Sequence, residues 1–196
     1  MRQTEIDYWD KVAKDRIVAD GCINDNWLKR QAMMAFFCKY NWMKQSVLEI
    51  GVGAGISAAM LKLGCGGMWK YVGTDLSPLF CETARKWQIE VVQADVLTLP
   101  EGKFSRILAL DSLEHVRPED RPKGYDNIVD RMDDEAVMFI NIPPHRSLHE
   151  EEFDHGFDLG DLWELEKRGL SLQKYETYSC YYKDYRRQYA MAILSK

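Results

Sequence analysis

The stretch Ser46–Leu61, SVLEIGVGAGISAAML, joins two apolar runs through three alternate glycines. The first run is short and aliphatic, which predicts a buried strand at Ser46–Ile50, and the second has the length of a helix. Between them Gly51, Gly53 and Gly55 let the backbone turn sharply and approach a ligand, because no Cβ stands in the way. We therefore expect a strand, a tight loop and a helix, which is the unit from which α/β sheets are built.

The rest of the chain alternates short apolar runs with longer amphipathic segments, a pattern typical of an α/β domain. Further strands are predicted at Lys70–Thr74, Glu90–Gln93, Arg106–Leu110 and Val137–Ile142, with a terminal pair near Leu172–Tyr178 and Gln188–Leu194. Helices are predicted at about Thr4–Val18, about Asn26–Lys44, Gly55–Leu63, Pro78–Gln88 and about Pro122–Met132, with a short one after Leu113. Strands separated by helices imply right-handed crossovers and a mostly parallel sheet, and the hairpin-like ending fits an antiparallel edge.

Length, charge and cysteine content narrow the class of protein. At 196 residues the chain is long enough for one well-buried domain, and we predict a single domain over residues 1–196. The net charge of −5 disfavours a broad electrostatic grip on nucleic acid. The five cysteines show no CxxC pair or zinc-ligand spacing, so we expect reduced, mostly buried thiols. The charged N-terminus and the lack of a long apolar run predict a soluble, cytoplasmic protein with no membrane segment.

Two acidic residues at strand ends accompany the glycine loop. Asp75 follows the second predicted strand, about 20 residues after Gly55, where an acidic side chain accepts hydrogen bonds from ribose hydroxyls. This spacing suits nicotinamide nucleotides as well as other adenosine ligands. Glu49 directly precedes the loop, where a carboxylate is awkward for a pyrophosphate but suits a ligand that carries an ammonium group. The alternative is that Glu49 is a charge paired within the protein.

Four segments in succession, VLEIGVGAG, GTDLS, QADVLTLP and ILALDSLEHV, resemble the class I S-adenosylmethionine-dependent methyltransferases, especially the small-molecule enzymes of ubiquinone and menaquinone biosynthesis. The resemblance covers about Ser46–Gly169. It implies a Rossmann-like, doubly wound, seven-stranded α/β sheet, mostly parallel with the last strand antiparallel. Residues 1–45 would form a helical lid and residues 46–196 the core. A further segment, DHGFDLGDLWELEKRGLSL, resembles the family's helix before the sixth strand and predicts a helix at Leu159–Lys167.

The resemblance also implies S-adenosylmethionine as cofactor, S-adenosylhomocysteine as its product, and a site assigned position by position. Glu49 would lie near the amino group of the cofactor, and Asp75 would bind its ribose hydroxyls. The other assigned positions follow the first, second, third and fourth strands in turn, and they are Gly51, Gly53 and Gly55, then Leu76, then Asp95 and Val96, then Asp111 and Ser112. In the lid, Trp9 and Arg30 are candidates for the methionine end, with a core Trp and a solvated Arg as the alternatives.

The histidines are the candidates for a general base. Methyl transfer is an in-line displacement whose rate comes from holding donor and acceptor together and excluding water, so a base helps only when the acceptor must lose a proton. His145 is the first candidate and His149 the second, because both follow NIPP after the fifth strand. His115 is a third, with anchoring of its own turn as the alternative. The acidic residues after His149 also raise a metal site, which we set aside because the spacing matches no specific ligand pattern.

The partner predicted from these observations is a small molecule methylated at oxygen. Lys183, Arg186 and Arg187 lie among several tyrosines, a mixture that can steer a small anionic acceptor, although a hairpin with β-favouring tyrosines is the alternative. Three other functions stay open: a nucleic-acid methyltransferase, a cofactor-binding protein without catalysis, and a nicotinamide oxidoreductase, which Glu49 disfavours. The NIPP segment resembles the signature of DNA amino-methyltransferases, but it follows the wrong strand and lacks the aromatic residue.

Overall fold

The structure, a computed structural model, describes residues 2–19, 33, 36–64, 70–143, 153–182 and 185–196. Two compact units make up the chain, Met1–Asp95 and Val96–Lys196. The elements of the first unit are α1 (Gln3–Ala19), β1 (Ser46–Ile50), α2 (Ile56–Gly64), β2 (Lys70–Asp75), α3 (Pro78–Arg85) and β3 (Glu90–Gln93). Those of the second are β4 (Phe104–Leu110), a 3₁₀ turn (Leu113–His115), α4 (Arg121–Arg131), β5 (Met132–Ile142), α5 (Leu159–Glu166), β6 (Ser171–Tyr182) and β7 (Tyr185–Ser195).

In the first unit, β1, β2 and β3 pair in parallel. Ser46 is opposite Lys70, and Val72 is opposite Glu90. Four consecutive residues of β1 and four of β2 are buried, as expected for parallel strands that are covered on both faces. Helix α3 begins cleanly after β2, because the Ser77 hydroxyl accepts a hydrogen bond from the Phe80 amide and Pro78 occupies the first turn.

In the second unit, β4 and β5 pair in parallel, and β7 lies antiparallel between β5 and β6. The described strands form a seven-stranded sheet of order β3-β2-β1-β4-β5-β7-β6. The prediction of a Rossmann-like, doubly wound α/β sheet with its last strand antiparallel is therefore confirmed. Among the residues described, no helix has the length and apolar character that crossing a bilayer requires.

Strand β5 begins at Met132, five residues before the predicted Val137. The added residues include the polar run Asp133–Glu135, which hides the strand in the sequence pattern. Phe104 pairs with Met132, and Arg106 pairs with Val137, so the register shifts between these two pairs. The residues by which both strands exceed the prediction therefore include a β-bulge or similar irregularity. The terminal hairpin is also longer at both ends than its sequence pattern predicts.

The predicted helix Asn26–Lys44 is wrong at its end, and its beginning lies outside the described residues. Helical structure stops at Phe37, whose carbonyl accepts a hydrogen bond of 2.7 Å from the buried Trp42 indole. Lys44 has a φ of 59°, which a helix does not allow. Helix α3 ends three residues earlier than predicted, and Gln88 beyond it has a φ of 57°.

Candidate functional site

The loop after β1 has the left-handed backbone that its glycines predict. Gly51, Gly53 and Gly55 have φ values of 72°, 52° and 80°. A Cβ on Gly55 would lie 2.6 Å from Cδ1 of Trp87 and 3.1 Å from Cα of Ala84. A Cβ on Gly53 would meet nothing within 4 Å. Packing therefore requires glycine at position 55, whereas Gly53 presents bare backbone to open space that a ligand can occupy.

This difference predicts unequal effects of two alanine substitutions. We expect Gly55→Ala to lower the free energy of unfolding by about 2–4 kcal/mol, because overpacking adds to the strain of a left-handed residue. Gly53→Ala carries only the backbone strain, about 1–2 kcal/mol. Urea denaturation followed by circular dichroism measures both, and equal losses in the two variants would contradict the assignment.

Asp75, at the end of β2, holds the glycine loop. Its Oδ2 accepts a hydrogen bond of 2.9 Å from the Gly53 amide, and its Oδ1 accepts one of 3.0 Å from the Ser77 amide. An ionised carboxylate offers about four acceptor positions, so the same group can hold the loop and accept ribose hydroxyls. Leu76 follows half-buried, and its carbonyl accepts a hydrogen bond of 3.1 Å from the Gln93 side chain. The structure thus brings two of the predicted residues, Gly53 and Asp75, into direct contact.

Glu49 is completely buried, and it is paired with a residue that the sequence analysis missed. The Tyr71 hydroxyl donates a hydrogen bond to its Oε2, and Thr74 Oγ1 donates to its main-chain carbonyl at 3.2 Å. A buried carboxylate needs such donors. In the parallel register Val47 is opposite Tyr71, so Tyr71 and Glu49 share a face two residues apart. The two-residue spacing would have revealed this contact once the strand register was known.

Helix α1 contributes Asp10, another residue that the sequence analysis did not single out. Its Oδ1 accepts hydrogen bonds from the Ser77 hydroxyl and, at 3.3 Å, from the Leu79 amide, which ties α1 to the beginning of α3. The predicted Trp9 is half-buried and packs edge-on against Tyr8, with ring centroids 5.0 Å apart. Arg30 lies outside the described residues.

Cys81 lies beneath Asp75, with its Sγ 3.5 Å from the Asp75 carbonyl oxygen. Burial, and then the charge of Asp75, raise the pKa of the Cys81 thiol from 9.0 to about 11. The unfolded chain loses this proton first as pH rises. The contribution of Cys81 to the free energy of unfolding is therefore fully present below pH 9. It is lost as pH rises from 9 to about 11.

We expect iodoacetamide at pH 8 to leave Cys81 unmodified in the folded protein, because alkylation requires a thiolate that solvent reaches. Cys38 is exposed and serves as the internal reference. Mass spectrometry of the two tryptic peptides gives the rates. Modification of both cysteines at similar rates would contradict the burial of Cys81.

In the second unit, Asp111 ends β4 with a φ of 55°, and three side chains form a hydrogen-bonded series there. Asn141 Nδ2 donates to Oδ1 of Asp111, and the Tyr178 hydroxyl donates to Oδ1 of Asn141. We call this the Tyr178–Asn141–Asp111 chain. The Tyr178 ring also stacks on Tyr189, with centroids 5.6 Å apart and planes 20° apart. The sequence analysis predicted Asp111 but missed both partners, although an Asn inside the apolar run VMFINI was a visible signal.

The remaining predicted cofactor residues lie beside these elements. Ser112 follows Asp111, and its Oγ is buried with no hydrogen-bond partner in the part of the chain that is described. Val96 is buried, its side chain packs closely against Gly124, and its carbonyl accepts a hydrogen bond of 3.1 Å from Asn127. Asp95, directly before Val96 in the chain, is half-buried.

His115, in the 3₁₀ turn, is held by the segment that returns to it. Its Nδ1 lies 3.1 Å from the Phe153 carbonyl oxygen, and Nε2 lies 3.7 Å from Oε1 of the buried Glu114. The His155 amide donates to the Glu114 carbonyl at 2.9 Å. Because a carbonyl only accepts hydrogen bonds, Nδ1 carries the proton in the neutral ring. His145 and His149, the two preferred candidates for a base, lie outside the described residues.

A largely buried ion pair joins α4 to the beginning of α5. Arg121 donates to both carboxylate oxygens of Asp161 at 3.0 Å, and the Tyr125 hydroxyl donates to the same carboxylate at 2.7 Å. Burial, followed by the hydrogen bond to Asp161, raises the pKa of Tyr125 well above its usual value. Asp158 and Asp161 form a capping box, so this cluster also begins α5. These contacts hold the two helices together, so we assign the cluster a structural role.

Within the described ranges, no three His, Cys, Asp or Glu side chains gather as a metal ion would require. The acidic residues Glu150–Glu152 lie outside those ranges.

Comparisons with known proteins identify a domain and a fold. Residues 47–134 match a family model described as a methyltransferase domain. The structure is similar to magnesium protoporphyrin IX methyltransferase from Synechocystis with bound S-adenosylhomocysteine, with a TM-score of 0.76 and 18% identity over 99% of both chains. The complex of that enzyme with S-adenosylmethionine gives a TM-score of 0.69 and 19% identity over 97% of this chain and 95% of that one. A TehB-like S-adenosylmethionine-dependent methyltransferase from Corynebacterium glutamicum gives 0.65 and 16% over 100% of both chains. No curated protein matches the sequence.

Proposed function

We propose that this protein is a class I S-adenosylmethionine-dependent methyltransferase that transfers a methyl group to an oxygen atom of a small molecule. The observation that carries the proposal is the match with magnesium protoporphyrin IX methyltransferase over 99% of both chains. That protein is named for a small-molecule acceptor, and the likeness extends beyond the segments around the cofactor. The net charge of −5 is a second support, because it disfavours a long polyanion as acceptor.

The residues of the first unit fit this cofactor. Gly53 presents backbone to open space, and Asp75 places a carboxylate against the same loop. We assign Asp75 to the ribose hydroxyls, Leu76 to the adenine and Glu49 to the amino group, with Tyr71 fixing the Glu49 carboxylate. When bound, S-adenosylmethionine supplies an electrophilic methyl group on a sulfonium. The same proposal covers the other predicted positions: the methionyl and ribose portion for Gly51 and Gly55, the adenine amino group for Asp95 with Val96, the sulfonium end for Ser112, and the methionine end for Trp9 and Arg30.

Asp111 provides the charge that we assign to the sulfonium end. A carboxylate there stabilises a positive ligand without taking part in bond making. The hydrogen bond from Asn141 limits rotation of this carboxylate. The protein then acts mainly by binding and orienting the cofactor and the acceptor and by excluding water. These are the contributions that an in-line displacement needs most.

Proton removal depends on the kind of oxygen that accepts the methyl group. A carboxylate has no proton to lose, whereas a phenol of pKa about 10 does. Among the described histidines, we assign His115 to the role of base, because a proton on Nδ1 that is donated to the Phe153 carbonyl makes Nε2 the acceptor nitrogen of the neutral ring. His145 and His149 remain candidates for the same role. An anionic acceptor would suit the basic residues Lys183, Arg186 and Arg187 near the C-terminus, whose side chains lie outside the described part of the structure.

The test is transfer of label from methyl-labelled S-adenosylmethionine to a panel of acceptors. The panel contains phenols, carboxylic acids, magnesium protoporphyrin IX, amines, transfer RNA and DNA. We expect label in a small molecule, either as a base-labile methyl ester or as a stable methyl ether. Label on nitrogen, or label found only in nucleic acid, would refute the proposal. Cofactor binding with no transfer to any acceptor would favour a binding protein without catalysis.

A further inference from the structure

We propose that Asn141 and Tyr178 are positioning residues for methyl transfer, acting through the carboxylate of Asp111. The inference rests on the proposed function, in which Asp111 faces the sulfonium end of the cofactor. Neither Asn141 nor Tyr178 belongs to the site that the motifs predict. Both are included because hydrogen bonds within the second unit connect them to Asp111.

The polarity of the Tyr178–Asn141–Asp111 chain follows from its chemistry. An ionised carboxylate only accepts hydrogen bonds, so the Asn141 amide must turn its NH₂ group toward Asp111. The amide oxygen then faces Tyr178, which must donate its hydroxyl proton. The three groups therefore have one consistent arrangement, and removing the tyrosine hydroxyl frees the amide to rotate.

The burial of Asn141 indicates that this arrangement has a purpose beyond folding. Asn141 is 1% exposed and lies in a strand whose neighbouring residues are Met, Phe and Ile. An apolar residue would pack there without the need for two hydrogen-bond partners. Asp111, which receives the bond, has the positive φ that is uncommon outside glycine and that concentrates at functional sites.

The position of the chain agrees with this role. Asp111 directly follows β4, and Asn141 is the penultimate residue of β5. Strand β6 runs parallel to β5, because both are antiparallel to β7, and Tyr178 lies in the C-terminal half of β6. All three residues therefore lie toward the carboxyl ends of their strands, the edge at which doubly wound sheets bind ligands.

The ratio of the affinities for S-adenosylmethionine and S-adenosylhomocysteine tests the proposal. The first ligand carries a sulfonium charge and the second a neutral thioether. A carboxylate that is held toward the sulfur therefore strengthens binding of the first ligand more than of the second. A purely structural defect would weaken both ligands alike. Tyr178→Phe keeps the ring that stacks on Tyr189 and removes only the hydroxyl. We expect it to shift the ratio toward S-adenosylhomocysteine by about threefold to tenfold, the equivalent of one hydrogen bond.

Calorimetric titration of the full chain with both ligands gives the ratio for each variant. Asn141→Leu should shift it at least as far as Tyr178→Phe, and Asp111→Asn, which removes the charge with little change of shape, should shift it furthest. Tyr175→Phe is the matched control, because Tyr175 is on the same strand, is 44% exposed and lies outside the hydrogen-bonded chain. We expect it to leave the ratio unchanged.

The outcomes separate this proposal from the proposed function. Binding of neither ligand by the unaltered protein would overturn both. Binding of both ligands, with the ratio unchanged in Tyr178→Phe and Asn141→Leu, would overturn the positioning role and leave the function standing. If those two variants fail to fold, an unchanged ratio in Asp111→Asn overturns the proposal by itself, since no charge would then face the sulfonium.

Discussion

We expect Asp161→Ala to lower the free energy of unfolding by about 3–5 kcal/mol, the range for removing one partner of a buried ion pair. The substitution leaves the largely buried guanidinium of Arg121 without its carboxylate and the Tyr125 hydroxyl without its acceptor. It also removes half of the capping box with which α5 begins. These losses fall on one residue, which explains the size of the expected effect.

Glu164→Ala is the matched control, because Glu164 is on the same helix and also accepts hydrogen bonds from basic residues. Its partners are Lys167 and Arg168, whose hydrogen bonds lower the pKa of Glu164, but its side chain is 44% exposed. Exposed ion pairs are screened by water and contribute little. Urea denaturation followed by circular dichroism should therefore show a much smaller loss for Glu164→Ala. Equal losses would contradict a structural role of the buried pair.

The strands that could be predicted accurately are those with an apolar centre. Strands β1 and β3 begin and end at the predicted residues, and β1 reads in the sequence as an almost unbroken apolar run. Strand β5 contains a polar segment, Asp133–Glu135, and its first half was missed for that reason. Periodicity reports burial, so it fails where a strand passes through an exposed region.

The error at the predicted end of the Asn26–Lys44 helix has a different cause. Residues beyond Phe37 have a composition that a helix tolerates, and local propensity alone would continue it. The end is set by Trp42. Its buried indole donates a hydrogen bond to the Phe37 carbonyl and packs edge-on against the Phe37 ring. Such a contact between residues five apart involves a specific side-chain conformation, which no pattern of apolar positions encodes.

The same distinction applies to the candidate site. Glycine spacing and strand ends indicate Gly53 and Asp75, because those residues follow from the backbone path that the motif imposes. The partners Tyr71, Asn141 and Tyr178 depend on which residues face each other across paired strands. Register is a property of the folded sheet, so hydrogen-bond partners of this kind become visible only in the structure.

We expect Asp75→Ala to weaken binding of S-adenosylmethionine at least about 100-fold, since a hydrogen bond to a charged group contributes about 1.5–3 kcal/mol and the ribose offers two hydroxyls. The substitution also releases the Gly53 and Ser77 amides, so the loop loses the group that holds its shape. Because the ribose is common to both ligands, S-adenosylhomocysteine should lose the same factor. The affinity ratio should therefore stay constant, in contrast to the variants of the Tyr178–Asn141–Asp111 chain.

Glu82→Ala, an exposed carboxylate on the adjacent α3, controls for the loss of one negative charge and should bind both ligands normally. Calorimetric titration of the three proteins, with a thermal melt of each, separates lost binding from lost folding. A folded Asp75→Ala variant that binds both ligands within about threefold of the unaltered protein would remove Asp75 from the site. A selective loss of S-adenosylmethionine would instead mean that Asp75 acts at the sulfonium and that the assignment of the ribose is wrong, because the two ligands differ only at the sulfur, in the methyl group and its positive charge.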